Sequence, residues 1–156
     1  MFGFLKRKTR EIKAPVDGQV VALESVNDEV FSKKMAGDGV AIIPMSDTFT
    51  APIDGVVTKI FSTNHAFSIK SKKDLEIMVH IGLDTVSLEG KGFERIASEG
   101  EHVKAGDAII RIDLAYLREH AKDIVTPIII LDDSDVNTIE KYFKVVKNQD
   151  LIMEAN

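Results

Sequence analysis

The sequence contains no cysteine and no tryptophan. The missing cysteine excludes disulfide bonds, thiolate metal sites and a cysteine nucleophile, so any thiol chemistry must belong to another protein. No apolar run is long enough to span a membrane, and the apolar residues 1–5 are too few for the hydrophobic region of a signal peptide. We therefore expect a cytoplasmic protein, in which residues 1–8 either fray or bind the inner membrane surface as a small basic anchor.

The chain also lacks an excess of basic residues. It has 20 Lys and Arg against 25 Asp and Glu, a net charge of -5, and no basic stretch beyond residues 6–8. Nucleic acid is therefore not an expected partner. A chain of 156 residues with 44% hydrophobic and 29% charged residues suits one globular domain. We predict a flexible tail over residues 1–10 and a single domain over residues 11–156.

Two of the four histidines lie on what the sequence predicts to be one β-hairpin. Residues 67–70 and 75–79 are typical of strands, and the polar residues 71–74 are typical of a short turn. Pairing that is symmetric about the centre of this turn places His65 directly opposite His80, and Phe67 opposite Met78. Opposed residues have Cβ atoms about 5 Å apart, so the two imidazoles can share a phosphoryl group, a proton or a metal ion. A register slip of one residue would destroy this pairing.

A short motif is duplicated. Residues 14–20 read APVDGQV and residues 51–57 read APIDGVV, which indicates two copies of one hairpin unit in which Asp-Gly supplies a positive φ. The remaining pattern predicts an all-β protein, an antiparallel β-sandwich or barrel with a duplicated hairpin motif and short helices. Its further elements are a Gly-containing turn at 98–107, strands at 108–112, 126–131 and 142–147, a turn at 132–135, and a helix at 114–122 capped by Asp113.

Several separated motifs occur together in one order. They are residues 63–68 (TNHAFS), residues 79–86 (VHIGLDTV), Gly37 to Gly39, Gly92-Phe93, and the Glu99-Gly100, Val103-Lys104 and Gly106-Asp107 pairs. On these motifs, residues 12–150 resemble the glucose-type enzyme IIA proteins of the bacterial phosphoenolpyruvate-dependent sugar phosphotransferase system. The resemblance implies an antiparallel β-sandwich that needs no cofactor.

The resemblance also implies a phosphocarrier function. Members of the family accept a phosphoryl group on a histidine from the histidine phosphocarrier protein. They pass it to a cysteine of the IIB domain of a membrane sugar permease, and their phosphorylation state can regulate other proteins. By this match His80 is the phospho-acceptor, His65 stabilises the transferring group, and Thr63 orients His65.

A docking surface follows from the same resemblance. Asp28 and Asp84 are expected to border the site, and the apolar docking residues correspond to Val30, Phe31, Phe61, Met78 and Val86. A protein that meets a donor and an acceptor in turn is expected to expose an apolar patch rimmed by charge. The alternatives are that the two aspartates cap turns and that Phe31, Phe61 and Val86 belong to the core. His102 and His120 lack a companion motif and are expected to be solvated surface residues.

Two other functions compete with the phosphocarrier. Facing histidines can form part of a zinc hydrolase site, but such sites need a third protein ligand and commonly contain His-x-His, whereas position 82 is glycine. A lipoyl or biotinyl carrier needs a lysine at a tight hairpin tip, and Lys72-Lys73 lacks the usual flanking residues. The phosphocarrier hypothesis requires no metal, although His65 and His80 can bind zinc together with a carboxylate from a partner.

Overall fold

The computed structural model describes residues 9–131 and 136–156, and these fold almost entirely as antiparallel strands with a few short helices. The suggested membrane anchor at residues 1–8 and the turn predicted at 132–135 lie outside the described residues. Arg10, which we predicted to end the flexible tail, is instead the buried first residue of a strand. The strands are β1 (Arg10–Lys13), β2 (Gly18–Ala22), β3 (Gly39–Pro44), β4 (Thr48–Thr50), β5 (Gly55–Ile60), β6 (Ala66–Lys70), β7 (Glu76–His80), β8 (Phe93–Arg95), β9 (His102–Val103), β10 (Ala108–Ile112), β11 (Thr126–Leu131), β12 (Ile139–Lys141), β13 (Val145–Val146) and β14 (Leu151–Ala155).

In the described part of the chain, two α-helices accompany the strands, α1 (Glu29–Ser32) and α2 (Leu114–His120), with 3-10 turns at Leu23–Ser25 and Thr85–Leu88. The predicted cap is confirmed, because the Asp113 carboxylate accepts a hydrogen bond of 3.0 Å from Tyr116 N. The strand at 126–131 is confirmed as β11. Of the strand predicted at 142–147, only the two residues of β13 form a strand. The following strand, β14, was not predicted from the sequence.

The strands form one large sheet and two small ones. The large sheet has the order β13-β2-β3-β11-β7-β6-β5-β9, and the small sheets are β1-β14-β12 and β4-β10-β8. Alternate residues of β3 and β11 lie on opposite faces of the large sheet, and both faces are buried. Val40, Ile42, Ile128 and Ile130 belong to the main core. Ala41 and Ile129 belong to a second apolar cluster with Leu23, Val26, Phe31, Leu83 and Val125, which holds α1 against the sheet.

The duplication extends further than the Ala-Pro motif. Val103–Asp107 and Val146–Asp150 adopt the same turn, with positive φ at Gly106 (98°) and Gln149 (76°). Each turn packs on its own Ala-Pro motif: Ala105 N donates to Asp54 Oδ1 and Asn148 N donates to Asp17 Oδ1, both at 2.7 Å. The sequence analysis missed this second half of the repeat, because the two turns share only Val, Lys and Asp.

The glycines of the Ala-Pro motif serve a different purpose from the predicted one. Gly18 and Gly55 are not among the described residues with positive φ. A Cβ on Gly55 would lie 2.2 Å from Lys70 O, and a Cβ on Gly18 would lie 2.3 Å from Ile43 O. Glycine is therefore needed at these strand starts because a neighbouring strand passes too close for any side chain.

The register of the histidine hairpin differs by one residue from the prediction. The structure pairs Ala66 with His80 and Ser68 with Met78, and Ser71 N donates to Leu75 O at 2.7 Å. The loop therefore contains three residues, 72–74, and is centred on Lys73, whereas the prediction centred an even-numbered loop between Lys72 and Lys73. Asp74 adopts a positive φ of 56°, as is usual at the end of three-residue hairpin loops. The prediction that His65 faces His80 within the ladder is wrong.

Within the described ranges, no helix is long and apolar enough to cross a membrane.

Candidate functional site

His65 and His80 lie side by side despite the shifted register. Their ring centroids are 5.0 Å apart, with the ring planes at 77°. His65 precedes β6 and follows Asn64, whose φ is 61°, so the alternation of the strand does not dictate the direction of its ring. Ile81 N donates to His65 O at 2.7 Å, which fixes the backbone of the two histidine segments against each other.

The tautomer of His80 follows from its hydrogen bond. Its Nδ1 lies 2.8 Å from Gly82 O. A carbonyl oxygen only accepts, so Nδ1 carries the proton and Nε2 keeps its lone pair. Gly82 has a φ of 76°, and a Cβ there would lie 2.6 Å from Thr85 Cγ2. The sequence does not reveal this acceptor, because the direction of the carbonyl depends on the backbone of Gly82 and not on a side chain.

His65 is held by Thr63. Thr63 Oγ1 lies 2.6 Å from His65 Nδ1, so the predicted pair is present in the structure. His65 is only 4% exposed, and the edge of its ring packs against Phe61 with centroids 5.3 Å apart. Burial, together with the neighbouring His80, lowers the pKa of His65 to about 4. A protonated His65 is therefore disfavoured near neutral pH.

His80 is partly exposed at the end of β7. Burial lowers its pKa, while its hydrogen bond to Gly82 and the charges of Asp28 and Asp84 raise the pKa in part. Both carboxylates thus lie near enough to interact electrostatically with the ring. Phe31 packs on His80 with ring centroids 5.1 Å apart.

The two aspartates have structural partners as well. Asp28 caps α1, since its Oδ1 accepts from Val30 N at 2.9 Å. Asp84 has a φ of 55° and makes no side-chain cap, and its Oδ2 lies 3.8 Å from Lys122 Nζ. A groove of about 450 Å³ lies beside these residues, and its lining includes Asp28, Val30, Asp84 and Lys122.

The five apolar docking residues divide by exposure. Val30 and Val86 are 47% and 56% exposed. Phe61 is partly buried, Met78 is partly buried against the second apolar cluster, and Phe31 is only 6% exposed. Val30 and Val86 are therefore the most exposed of the five, while Phe31 packs against the His80 ring.

Arg95 is a residue that the sequence analysis missed. Its Nε donates to Asn64 Oδ1 at 2.8 Å, and its Nη2 donates to Phe61 O at 3.2 Å. Arg95 thereby holds the turn that carries Thr63 and leads into His65. It lies 30 residues downstream of that histidine, so no local sequence signal connects the two.

The other two histidines lie apart from this pair. His102 is exposed in β9, and His120 is exposed at the end of α2, stacked on Tyr116 with ring centroids 4.1 Å apart.

The site offers an incomplete metal centre. Among the described residues, no group of three or more His, Asp or Glu side chains could hold a metal ion. A protein zinc site uses three or four ligands, so zinc at His65 and His80 would need further ligands from a partner. This geometry gives no support to a zinc hydrolase.

Comparison with known proteins identifies relatives over nearly the whole chain. Residues 10–136 match the family model described as phosphoenolpyruvate-dependent sugar phosphotransferase system, EIIA 1. The "PTS system glucose-specific EIIA component" of Borreliella burgdorferi is 47% identical over 93% of this chain and 77% of its own length. The "PTS system N-acetylglucosamine-specific EIICBA component" of Klebsiella pneumoniae is 43% identical over 85% of this chain and 20% of that longer protein. The solved structure of glucose permease IIA from Mycoplasma capricolum superposes with a TM-score of 0.90, at 39% identity and covering 99% of both chains.

Proposed function

The chain belongs to the EIIA 1 family of the phosphoenolpyruvate-dependent sugar phosphotransferase system, and we propose that Nε2 of His80 is the atom on which it carries the phosphoryl group. The observation that carries this proposal is the 2.8 Å hydrogen bond between His80 Nδ1 and Gly82 O, which leaves Nε2 as the free nucleophile. The lowered pKa of His80 keeps that nitrogen unprotonated at neutral pH.

The transfer step needs no external base. The Nε2 lone pair attacks the phosphorus of a phosphohistidine on the donor protein, and the bond from phosphorus to the donor nitrogen breaks with its electron pair returning to the donor ring. Because Nδ1 keeps its proton, the His80 ring becomes positively charged on accepting the group. Gly82 O, Asp28 and Asp84 stabilise that charge, as their raising effect on the pKa of His80 indicates.

His65 stabilises the phosphoryl group as a neutral donor. We assign the Thr63 hydroxyl as the donor to His65 Nδ1, which leaves the proton of the imidazole on Nε2. That Nε2–H can donate to an equatorial phosphoryl oxygen in the metaphosphate-like transition state. A neutral donor is consistent with the pKa of about 4, whereas a cation would be scarce.

The protein works with other components of the phosphotransferase system, and we propose which ones. The donor is the histidine phosphocarrier protein, and the acceptor is a cysteine of a IIB domain, whose thiolate attacks the phosphorus while His80 leaves as a neutral ring. The name of the Klebsiella relative, EIICBA, joins A, B and C parts in one protein and supports a direct A-to-B transfer. We place the protein in the cytoplasm, at the inner face of the membrane, where such a permease presents its IIB domain.

Both partners are proposed to dock on one surface. Val30 and Val86 provide exposed apolar area, Phe61, Met78 and Phe31 support it, and Asp28 and Asp84 border it. Exposed apolar area beside carboxylates favours a partner with an apolar centre and cationic rim.

Phosphate incorporation from phosphoenolpyruvate, with enzyme I and the histidine phosphocarrier protein present, tests the assignment. Wild type, His65→Gln and His120→Gln should each acquire acid-labile phosphate with the phosphorus NMR shift of an Nε2-phosphohistidine, and His80→Gln should not. His65→Gln should pass the group to a IIB domain far more slowly than His120→Gln does. Label on His80→Gln, or none on wild type, would refute the role of His80.

A further inference from the structure

The matching turns of the two halves differ at two positions, and one of these differences concerns the space beside the turn. Asn148 in one half corresponds to Ala105 in the other. The Asn148 side chain occupies the space between its turn and Pro15. Its Oδ1 accepts from Thr50 Oγ1 at 2.9 Å, and its Nδ2 donates to Pro15 O at 3.3 Å. In the other half the corresponding residues are Ala105, Lys13 and Pro52, and all three line an open cavity.

This cavity has a volume of about 810 Å³, within the range of small-molecule sites. It lies between β1, the Pro52–Gly55 motif, the loop of the histidine hairpin and the turn after β9. Its lining includes five lysine or arginine residues and three carboxylates, in a chain whose net charge is -5. The basic residues are Arg10, Lys13, Lys72, Lys73 and Lys104, and the acidic residues are Glu11, Asp54 and Asp107.

The three carboxylates already have partners. Asp54 accepts from Ala105 N at 2.7 Å, Asp107 accepts from Lys104 N at 2.9 Å, and Glu11 lies 3.7 Å from Lys13 Nζ. Within residues 9–131 and 136–156, Lys72, Lys73 and Lys104 form no ion pair with a carboxylate. Their positive charge is therefore available to a ligand.

The loop that carries two of these lysines is held in position. Arg10 Nη1 donates to Lys73 O at 3.1 Å, which ties the hairpin loop to β1. Arg10 is 8% exposed. Lys73 N also donates to Ser71 Oγ at 3.0 Å. The lysines thus extend from an ordered rim.

We propose that this cavity is a binding site for a small phosphate-bearing anion, distinct from the phosphotransfer site. Ammonium groups are common phosphate ligands, and three of them without carboxylate partners around one cavity match a ligand with two or more negative charges. The cavity lies at the loop end of the hairpin and the histidines lie at its other end, about 17 Å away along a five-residue strand. A ligand here would not touch His80.

The test is titration of the full chain with pyrophosphate at constant ionic strength, followed by amide chemical shifts in NMR spectra. We expect saturable shifts at residues 71–75 and 102–105. The triple variant Lys72→Gln, Lys73→Gln, Lys104→Gln should bind at least tenfold more weakly. Ala105→Asn, which copies the residue of the filled half without changing the charge, should also weaken binding several-fold.

The control is a variant with the same loss of charge, Lys91→Gln, Lys144→Gln, Lys147→Gln, which includes the counterpart of Lys104 in the other half. It should bind pyrophosphate as wild type does. Equal weakening in both triple variants, or shifts spread over all surface lysines, would show only diffuse attraction and overturn the proposal. Citrate binding as tight as pyrophosphate would overturn the preference for phosphate. Both triple variants should still accept phosphate on His80. The experiment therefore tests anion binding at the cavity independently of the phosphotransfer role proposed for His80.

Discussion

At the scale of single residues, the proposed chemistry depends on which nitrogen of each histidine carries the proton. The identities of His80, His65 and Thr63 could be predicted from sequence motifs, and the structure brings all three together. The carbonyl that fixes His80 could not be predicted, because its direction depends on the positive φ of Gly82 rather than on a side chain. A carbonyl leaves one tautomer for His80, whereas the Thr63 hydroxyl can donate or accept and so permits either tautomer of His65.

Replacing Thr63 tests the assigned tautomer of His65. Thr63→Val keeps the shape of the side chain but removes the hydroxyl, so the ring should populate both tautomers. We expect phosphoryl transfer to the IIB domain to slow about tenfold, the worth of one hydrogen bond. Nitrogen-15 shifts of His65 should move toward a mixture of tautomers, while phosphate still enters His80.

Thr63→Ser is the matched control, since it restores the hydroxyl and should keep both the wild-type rate and the Nε2–H tautomer. A Thr63→Val protein with unchanged nitrogen shifts would contradict the assigned role of the hydroxyl.

At the scale of elements, the site is built where strands end. The strands of the hairpin could be predicted within a residue or two from alternating apolar residues, but their register could not. A three-residue loop and a two- or four-residue loop have the same polar composition, and only the left-handed Asp74 distinguishes them. The predicted contact between the two rings was right for a different reason, because the turn before β6 reorients His65.

Arg95 should contribute to transfer through that turn. Arg95→Gln removes the hydrogen bonds to Asn64 and Phe61, so we expect faster amide exchange at residues 61–64 and slower transfer to the IIB domain. Acceptance at His80 should change less than onward transfer, since Arg95 positions His65 rather than His80. A general loss of stability would slow both steps alike.

Arg111→Gln is the control for Arg95. Arg111 is also exposed and pairs with Glu94 at 3.0 Å, and an exposed ion pair contributes little to stability. Transfer should be unaffected. Equal effects on transfer in the two variants would contradict a role of Arg95 in positioning His65.

The glycines at the strand starts give a prediction about stability. Gly55→Ala places a Cβ 2.2 Å from Lys70 O, so the strands must separate, and we expect a loss of about 3 kcal/mol in the free energy of unfolding. Gly100→Ala places a Cβ in open space at a φ of 85° and should cost only about 1 kcal/mol for the left-handed backbone. Urea denaturation measures both. Equal losses would contradict the close approach of Lys70 O as the reason for glycine at position 55.

At the scale of the whole molecule, the two halves share a duplicated backbone, and both proposed sites lie where the halves differ. The Ala-Pro motif could be found in the sequence because five of its seven residues are shared. The turns at 103–107 and 146–150 preserve their backbone with fewer shared side chains, since main-chain hydrogen bonds to Ala51 and Ala14 define them. The histidine pair and the basic cavity each occur in only one half, at opposite ends of one hairpin.

The pH dependence of stability should report the lowered pKa values of His65 and His80. The pKa of His65 falls from 6.5 in the unfolded chain to about 4 in the folded protein, and the pKa of His80 is also lowered. Between pH 6.5 and about 4, the unfolded chain binds a proton at His65 that the folded protein does not bind. The contribution of His65 to the free energy of unfolding is therefore fully present above pH 6.5 and declines as the pH falls toward 4. Each group with a lowered pKa adds up to about 1.4 kcal/mol per pH unit to the slope of the free energy of unfolding against pH.

Urea denaturation of wild type and His65→Gln at about pH 7.5 and pH 5.5 isolates this effect, because that range lies above the ordinary pKa values of carboxylates. We expect wild type to lose more stability across the range than His65→Gln, which lacks the excluded proton. His120→Gln is the matched control, because it removes an exposed histidine that lies apart from the pair, and it should lose as much stability as wild type. Identical losses in wild type and His65→Gln would mean that folding does not change the proton affinity of His65, which would contradict the lowered pKa on which the neutral Nε2–H donor depends.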